Sequence, residues 1–280
     1  MISPLNARSP LRVEARSLRC APPARDRALP SNQHAESQRH RPQLRCPDLS
    51  GPATLGERGP LVGRLNNERH TMSAPCLFPG ALHQIMTVGA DLDLTLIDTR
   101  DATALALKEV NATCGESIDI EDFLSRLGLP LRDEFARFMP ADRVTAAVTV
   151  FRTTFLDHGL YHLTPLPGAT DLADQLRDSG RRLVVITSRV PQIAHACLDA
   201  IGLPANVVVG DVTGLQKAQP MIEHQVEIYL GDHPLDLHGA QAAGVPAIGV
   251  ATGTHTRDQL LAAGANWVVD SLAEVAAALM

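Results

Sequence analysis

The sequence predicts an α/β fold, a doubly wound parallel sheet with a helical insert. Three observations predict it. Short apolar runs alternate with helix-patterned segments from residue 86 onward. The alternation is broken once, by four consecutive helical segments after the first strand. Acidic, hydroxyl and lysine side chains then fall just after successive strands, and open α/β sheets bind ligands beyond the carboxyl ends of their strands.

The first strand is Thr87-Val88-Gly89-Ala90, leading into Asp91. Helical segments follow near residues 102–113, 119–127, 131–139 and 141–157, with Pro130 and Pro140 at or near helix starts. They are too long for one crossover and read as a separate cap over residues 102–165. The core is then 86–101 and 166–280. Its further strands are Arg182–Ile186, Asn206–Val209, Val226–Leu230, Pro246–Val250 and Trp267–Val269. Helices start near Pro191, Pro234, Thr256 and Ser271. Apolar runs without alternation suit strands covered on both faces.

Composition bounds the function. Of 280 residues, 45% are hydrophobic and 20% charged, as in ordinary soluble proteins. No apolar run reaches the roughly 20 residues of a membrane-spanning helix. Five Cys make no disulfide framework. The net charge of −6 conceals a division. Residues 1–85 carry 12 Arg, no Lys and 6 acidic residues, net +6; the remainder carries 13 basic and 25 acidic residues, net −12. So acidic a body argues against nucleic acid as its main partner. Residues 1–85 also hold 11 of the 20 Pro and show no period. They read as a disordered basic extension. Arg outnumbers Lys 23 to 2, which suits GC-rich DNA translated ahead of a true start at Met86; a nucleic-acid tail and an organelle transit peptide are the alternatives. With no secretion signal, the expected location is the cytoplasm.

Four motifs carry the chemistry: Asp91-Leu92-Asp93-Leu94-Thr95-Leu96-Ile97-Asp98, Val185-Ile186-Thr187-Ser188-Arg189, Lys217, and Gly231-Asp232-His233-Pro234-Leu235-Asp236. Carboxylates gathered at one sheet edge repel each other, so a core would not collect them without a counter-ion. A hard dication such as Mg²⁺ suits oxygen ligands. With a lysine and a hydroxyl added, the set can hold a phosphoryl group, whose transfer depends on positioning and charge neutralisation. A carboxylate can be the nucleophile there.

These motifs, in this order, resemble the haloacid dehalogenase superfamily, whose core is a Rossmann-like sheet. The insert is similar to that family's first-type helical cap. The resemblance spans about residues 86–275. It implies that Asp91 is the nucleophile and that Asp93 protonates the leaving oxygen and then activates water. It implies a metal site of Asp91, Asp232 and Asp236 together with the backbone carbonyl of Asp93. Thr187 would hydrogen-bond the phosphoryl group, and Lys217 would offset its charge. Thr95 would hold the motif loop beside the substrate, with Ser188 nearby.

Within the family, dehalogenases resemble D-x-Y at the first motif and phosphonate hydrolases use a cap lysine. Here the second position is Asp93, and the cap's lysine is Lys108, early in its first helix. Asp93 favours phosphoester hydrolysis, because an alkoxide leaving group needs a proton. The expected enzyme is a Mg²⁺-dependent phosphatase acting on a small phosphorylated metabolite. Gly128-Leu129-Pro130-Leu131-Arg132 is similar to the cap turn of phosphoglycolate-phosphatase-like members, which makes phosphoglycolate the leading guess. Arg132 and Arg100 each read either as a bidentate partner of a substrate anion or as a solvated residue paired with nearby Asp or Glu. Asp98 reads as a hinge residue, His233 as an exposed histidine at a helix start, and Cys114 and Cys197 as packing residues. A phosphotransferase or mutase, and a regulatory binding protein with the same fold, are the alternatives.

Overall fold

The computed structural model describes residues 82–280. The expected basic extension therefore lies, up to residue 81, outside the described residues. Its last part does not behave as expected. Leu82–Gln84 form a 3₁₀ turn with Leu82 6% exposed in the core. Arg181 donates to the carbonyl of His83 at 2.9 Å. Ordered chain thus begins at least four residues before Met86, because Leu82 has apolar surface to bury.

The strands are β1 (Thr87–Ala90), β2 (Ile97–Asp98), β3 (Thr164–Pro165), β4 (Arg182–Ile186), β5 (Val207–Val209), β6 (Ile228–Gly231), β7 (Ala247–Val250) and β8 (Trp267–Val269). Six form one parallel sheet, in the order β5-β4-β1-β6-β7-β8. β1 is central: Ala90 pairs with Val185 on one side and Leu230 on the other. The interior strands β1, β6 and β7 are buried at every position, as their unbroken apolar text requires. The edge strands β5 and β8 are half-buried.

The helices are α1 (Arg100–Cys114), α2 (Ile120–Leu124), α3 (Leu131–Phe138), α4 (Ala141–Asp157), α5 (Ala169–Asp178), α6 (Pro191–Ile201), α7 (Ala218–Glu223), α8 (Pro234–Ala243), α9 (Arg257–Ala262) and α10 (Leu272–Leu279). Thr256 and Ser271 each cap a helix start through a reciprocal bond with Gln259 and Glu274. Among the described residues no helix is long and apolar enough to cross a membrane.

α1–α4 leave and rejoin the core through a two-stranded antiparallel ribbon, β2 with β3, in which Ile97 pairs with Pro165 and Asp98 with Thr164. The sequence pattern does not show this ribbon, because two-residue strands carry no period. Phe123 of α2, Phe135 of α3 and Phe151 and Phe155 of α4 pack in succession, with centroids 5.7 to 6.0 Å apart. On the core side the chain runs from β1 outward to β5, then crosses back to β6. The reversal lies between β1 and β6, the place where doubly wound sheets open a crevice.

Candidate active site

Three of the candidate residues directly follow a parallel strand. Asp91 follows β1, and its backbone N–H donates to the Leu230 carbonyl at 2.9 Å. Thr187 follows β4, and Asp232 follows β6. Asp236 sits in the first turn of α8, where it accepts from the His233 N–H at 3.2 Å in a capping box. Gly231 makes this possible, since a Cβ there would lie 2.4 Å from the Asp236 Cβ. Asp91, Asp232 and Asp236 are 5%, 2% and 2% exposed, and one carboxylate oxygen from each lies within 4.8 Å of the others.

Lys217 enters the same cluster. It ends a 3₁₀ turn, Gly214–Lys217, that runs directly into α7. The unusually short interval between Lys217 and Asp232 thus holds α7, a short turn and β6, and the lysine still points inward, 3% exposed. Its Nζ donates to Asp91 Oδ1 at 2.7 Å, Asp236 Oδ1 at 2.5 Å and Tyr229 Oη at 3.3 Å. Tyr229 Oη in turn donates to the Ile186 carbonyl at 3.0 Å. Nothing in the sequence motifs marked Tyr229. Its only signal was a phenol inside an otherwise aliphatic strand, which must find a partner when buried.

The electrostatics show a shortage of positive charge. Burial lowers the Lys217 pKa, but Asp236 and Asp91 outweigh it and hold the ammonium well above the ordinary lysine value. The carboxylates fare differently. Burial raises Asp91 to about 7, against the lowering influence of Lys217. Asp232 is raised well above the ordinary range by burial, then by Asp236 and Asp91. One ammonium cannot compensate three buried carboxylates, so the donor set fits a hard cation. The free oxygens fit it too. Asp91 Oδ1 and Asp236 Oδ1 face Lys217, and Asp232 Oδ1 accepts from Thr95 at 3.0 Å. Asp91 Oδ2 and Asp232 Oδ2 receive no protein donor among the described residues.

Asp93 lies outside this cluster. Its carboxylate accepts from Thr99 Oγ1 at 2.6 Å and from Arg189 through Nε (2.9 and 2.8 Å) and Nη2 (2.6 Å). The sequence marked Arg189 only as a motif neighbour; its grip on Asp93 crosses 96 residues and has no local signature. Between the two motif aspartates and the ribbon, Leu94 adopts φ 57°, a costly left-handed conformation for a leucine and a mark of a constrained functional loop.

The remaining expected residues divide. Thr187 is fully buried, and its Oγ1 accepts from the Arg189 N–H at 3.2 Å, leaving its own proton to give. Ser188 and Arg132 line a cavity beside Asp93. Arg132 is exposed and reaches Thr145 Oγ1 at 3.3 Å rather than the expected carboxylate. Arg100 pairs with Asp98 at 3.5 Å and donates to the Thr252 carbonyl at 2.7 Å, tying the hinge to the loop after β7. His233 is not exposed as expected: it is half-buried, its Nδ1 accepts from the Leu235 N–H, and its ring meets His255 edge-on at 4.4 Å. Burial lowers its pKa to about 4. Cys114 and Cys197 are buried, and burial raises Cys197 to about 11. Lys108 is exposed on α1.

A helical insert over carboxylates grouped at the reversal point of a doubly wound sheet defines the class, a capped α/β hydrolase. The chain belongs to the haloacid dehalogenase-like hydrolase family, whose model it matches over residues 90–250, and it is a phosphatase of that family. It is 33% identical over 210 residues to the probable phosphatase IndB of Dickeya dadantii, covering 67% of this chain and 90% of that one. It is 28% identical over 212 residues to a phosphoglycolate phosphatase of Caulobacter vibrioides, covering 68% and 88%. A haloacid dehalogenase-like hydrolase structure from Streptococcus pneumoniae superposes with a TM-score of 0.61 at 23% identity, over 70% of this chain and 99% of that one, and shares the fold.

Proposed function

We propose that the protein hydrolyses a small phosphomonoester, with Mg²⁺ bound by Asp91, Asp232 and Asp236 and the backbone carbonyl of Asp93. The observation that carries this is the meeting of three buried carboxylates with one buried ammonium at the sheet's reversal point. The bound cation would supply the positive charge that Lys217 alone does not. Asp91 attacks phosphorus as the ester P–O bond breaks, and its electron pair leaves with the oxygen. Asp93 gives that oxygen its proton, so the alcohol departs and phosphate remains on Asp91. Asp93, now a base, takes a proton from water. The hydroxyl adds to phosphorus, inorganic phosphate is released and Asp91 is restored. Lys217 and the Thr187 hydroxyl hold the phosphoryl oxygens while charge shifts among them. Thr95, through its bond to Asp232, fixes that carboxylate rather than touching substrate.

Phosphoglycolate is the proposed substrate. The cap turn at Gly128–Arg132 supports it, as does the name of the Caulobacter relative. The test is hydrolysis of p-nitrophenyl phosphate and phosphoglycolate by the full chain with Mg²⁺, with EDTA, and by Asp91→Asn. Release of free phosphate with Mg²⁺, lost in the other two arms, is expected. Turnover retained by Asp91→Asn refutes the nucleophile, and phosphate found only on an added acceptor refutes hydrolysis.

A further inference from the structure

Tyr229 stands on β6 between Ile228 and Leu230, with its ring wholly buried. A core-facing strand position is filled as well by Val, Ile or Leu, and a phenol there must find partners for its oxygen. The central strand makes room for it. Gly89 is the residue of β1 in register with Tyr229, and a Cβ there would lie 2.7 Å from Tyr229 Cδ2. A glycine inside a strand weakens it and marks a close approach, so β1 gives up a side chain to seat this ring.

The phenol oxygen is used in both directions. It gives its one proton to the Ile186 carbonyl at 3.0 Å, since a carbonyl only accepts. What faces Lys217 Nζ at 3.3 Å is therefore a lone pair. An ammonium has three N–H groups, and here all have takers: Asp91 Oδ1, Asp236 Oδ1 and Tyr229 Oη. The root of the lysine side chain is fixed separately, by an approach of α8 so close that a Cβ at Gly239 would lie 3.1 Å from Lys217 Cβ. The tip ends a flexible four-carbon stem and depends on its partners. Two of them have other parts to play. Asp91 gives up its charge when it becomes an acyl phosphate in the proposed reaction, and Asp236 belongs to the proposed cation site. Tyr229 is the partner that does neither.

Resting on the phosphatase reading, we infer that Tyr229 is a positioning residue: its phenol oxygen, anchored on the Ile186 carbonyl, holds the Lys217 ammonium in one place through both halves of the reaction. Fully buried, it acts on the substrate only through the lysine. Its effect falls on the transition state rather than on binding, because the charge is already aimed when the phosphoryl group is in transfer.

The test uses the full chain with Mg²⁺ and p-nitrophenyl phosphate, comparing the wild type, Tyr229→Phe, Lys217→Met and the double variant. Tyr229→Phe keeps the ring and removes the oxygen. Its kcat is expected to fall about 10–100-fold, the scale of a small misplacement of a catalytic group, with KM nearly unchanged. Orthovanadate takes up the five-coordinate shape of a phosphoryl group in transfer. Its inhibition is expected to weaken by a like factor, while inhibition by inorganic phosphate stays close to that of the wild type. In the Lys217→Met background the same substitution is expected to cost nothing further, because no ammonium remains to be held. Equal losses in both backgrounds overturn the inference. So does a Tyr229→Phe enzyme that melts earlier yet keeps the wild-type kcat per folded molecule and the wild-type vanadate affinity, as a merely structural tyrosine would. Tyr229→Met carries the same comparison if the Phe variant is insoluble, and calorimetric titration with vanadate replaces turnover if Lys217→Met is too slow to assay. No turnover by the wild type overturns the phosphatase reading and the inference together, whereas wild-type turnover with an unaltered kcat in Tyr229→Phe overturns the inference alone.

Discussion

The Lys217 ammonium donates to Asp91 Oδ1 at 2.7 Å across 126 residues of sequence, with both side chains under a tenth exposed. Removing one partner of a buried pair strands the other, at a typical cost of about 3–5 kcal/mol. Lys217→Met is therefore expected to lower unfolding stability by about that amount at pH 8 in EDTA, where the carboxylates carry most charge. Added Mg²⁺ should recover part of the loss. Urea unfolding with and without the cation measures both. A variant as stable as the wild type in EDTA would show that the lysine is not what holds Asp91 and Asp236 together.

The Asp93 side chain offers a cleaner separation of roles. Asp93→Asn keeps the shape and removes the titrating oxygen. Its kcat for phosphoglycolate is expected to fall by about 10²–10⁴-fold, the range of general acid–base catalysis. Release of nitrophenolate needs little proton assistance, so p-nitrophenyl phosphate should lose less. Equal losses on both esters would assign Asp93 a structural part in the first motif instead.

Much of this was legible in the text. β1, β4 and β8 stand where the sequence places them, β4 most plainly because a strand covered on both faces needs continuous Val, Ile and Leu. Asp91, Asp232 and Lys217 could be found because each follows a strand and the topology brings strand ends together. What escaped was of two kinds. α5 and the β2–β3 ribbon were missed, the ribbon because its four residues have no periodicity of their own. Arg189 on Asp93 and Tyr229 on Lys217 were missed because such contacts are fixed by three-dimensional approach and leave no spacing to read. The exposure expected of His233 failed because the loop holding His255 folds over it.

The response to pH follows from the raised carboxylates. Asp91 at about 7 lies above its unfolded value of 3.8, so the native state binds the proton more tightly. That contribution is fully present below the unfolded pKa and is lost as pH rises through 7, by about 4 kcal/mol at most. Asp232, also raised, acts in the same direction. A cation replaces the missing protons, so the gain in thermal midpoint on adding Mg²⁺ is expected to be larger at pH 8 than at pH 5.5. Scans in EDTA and in Mg²⁺ at the two pH values decide it. An equal gain at both would mean that the cation binds elsewhere.

Gly253 tests the metal geometry without touching a carboxylate. A Cβ at this position would lie 1.8 Å from Asp232 Oδ2 and 2.6 Å from its Cγ. Gly253→Ala is therefore expected to displace the Asp232 carboxylate and strain its bond from Thr95. The loop is half-buried and outside the sheet, so the fold should survive. Perturbing groups that orient metal ligands typically costs 10–100-fold in affinity or activity. The Mg²⁺ concentration for half-maximal phosphate release is expected to rise by at least about tenfold, with near-normal circular dichroism. An unchanged Mg²⁺ requirement would mean that the cation does not depend on the Asp232 carboxylate, provided that the variant's circular dichroism and thermal midpoint show the loop unmoved.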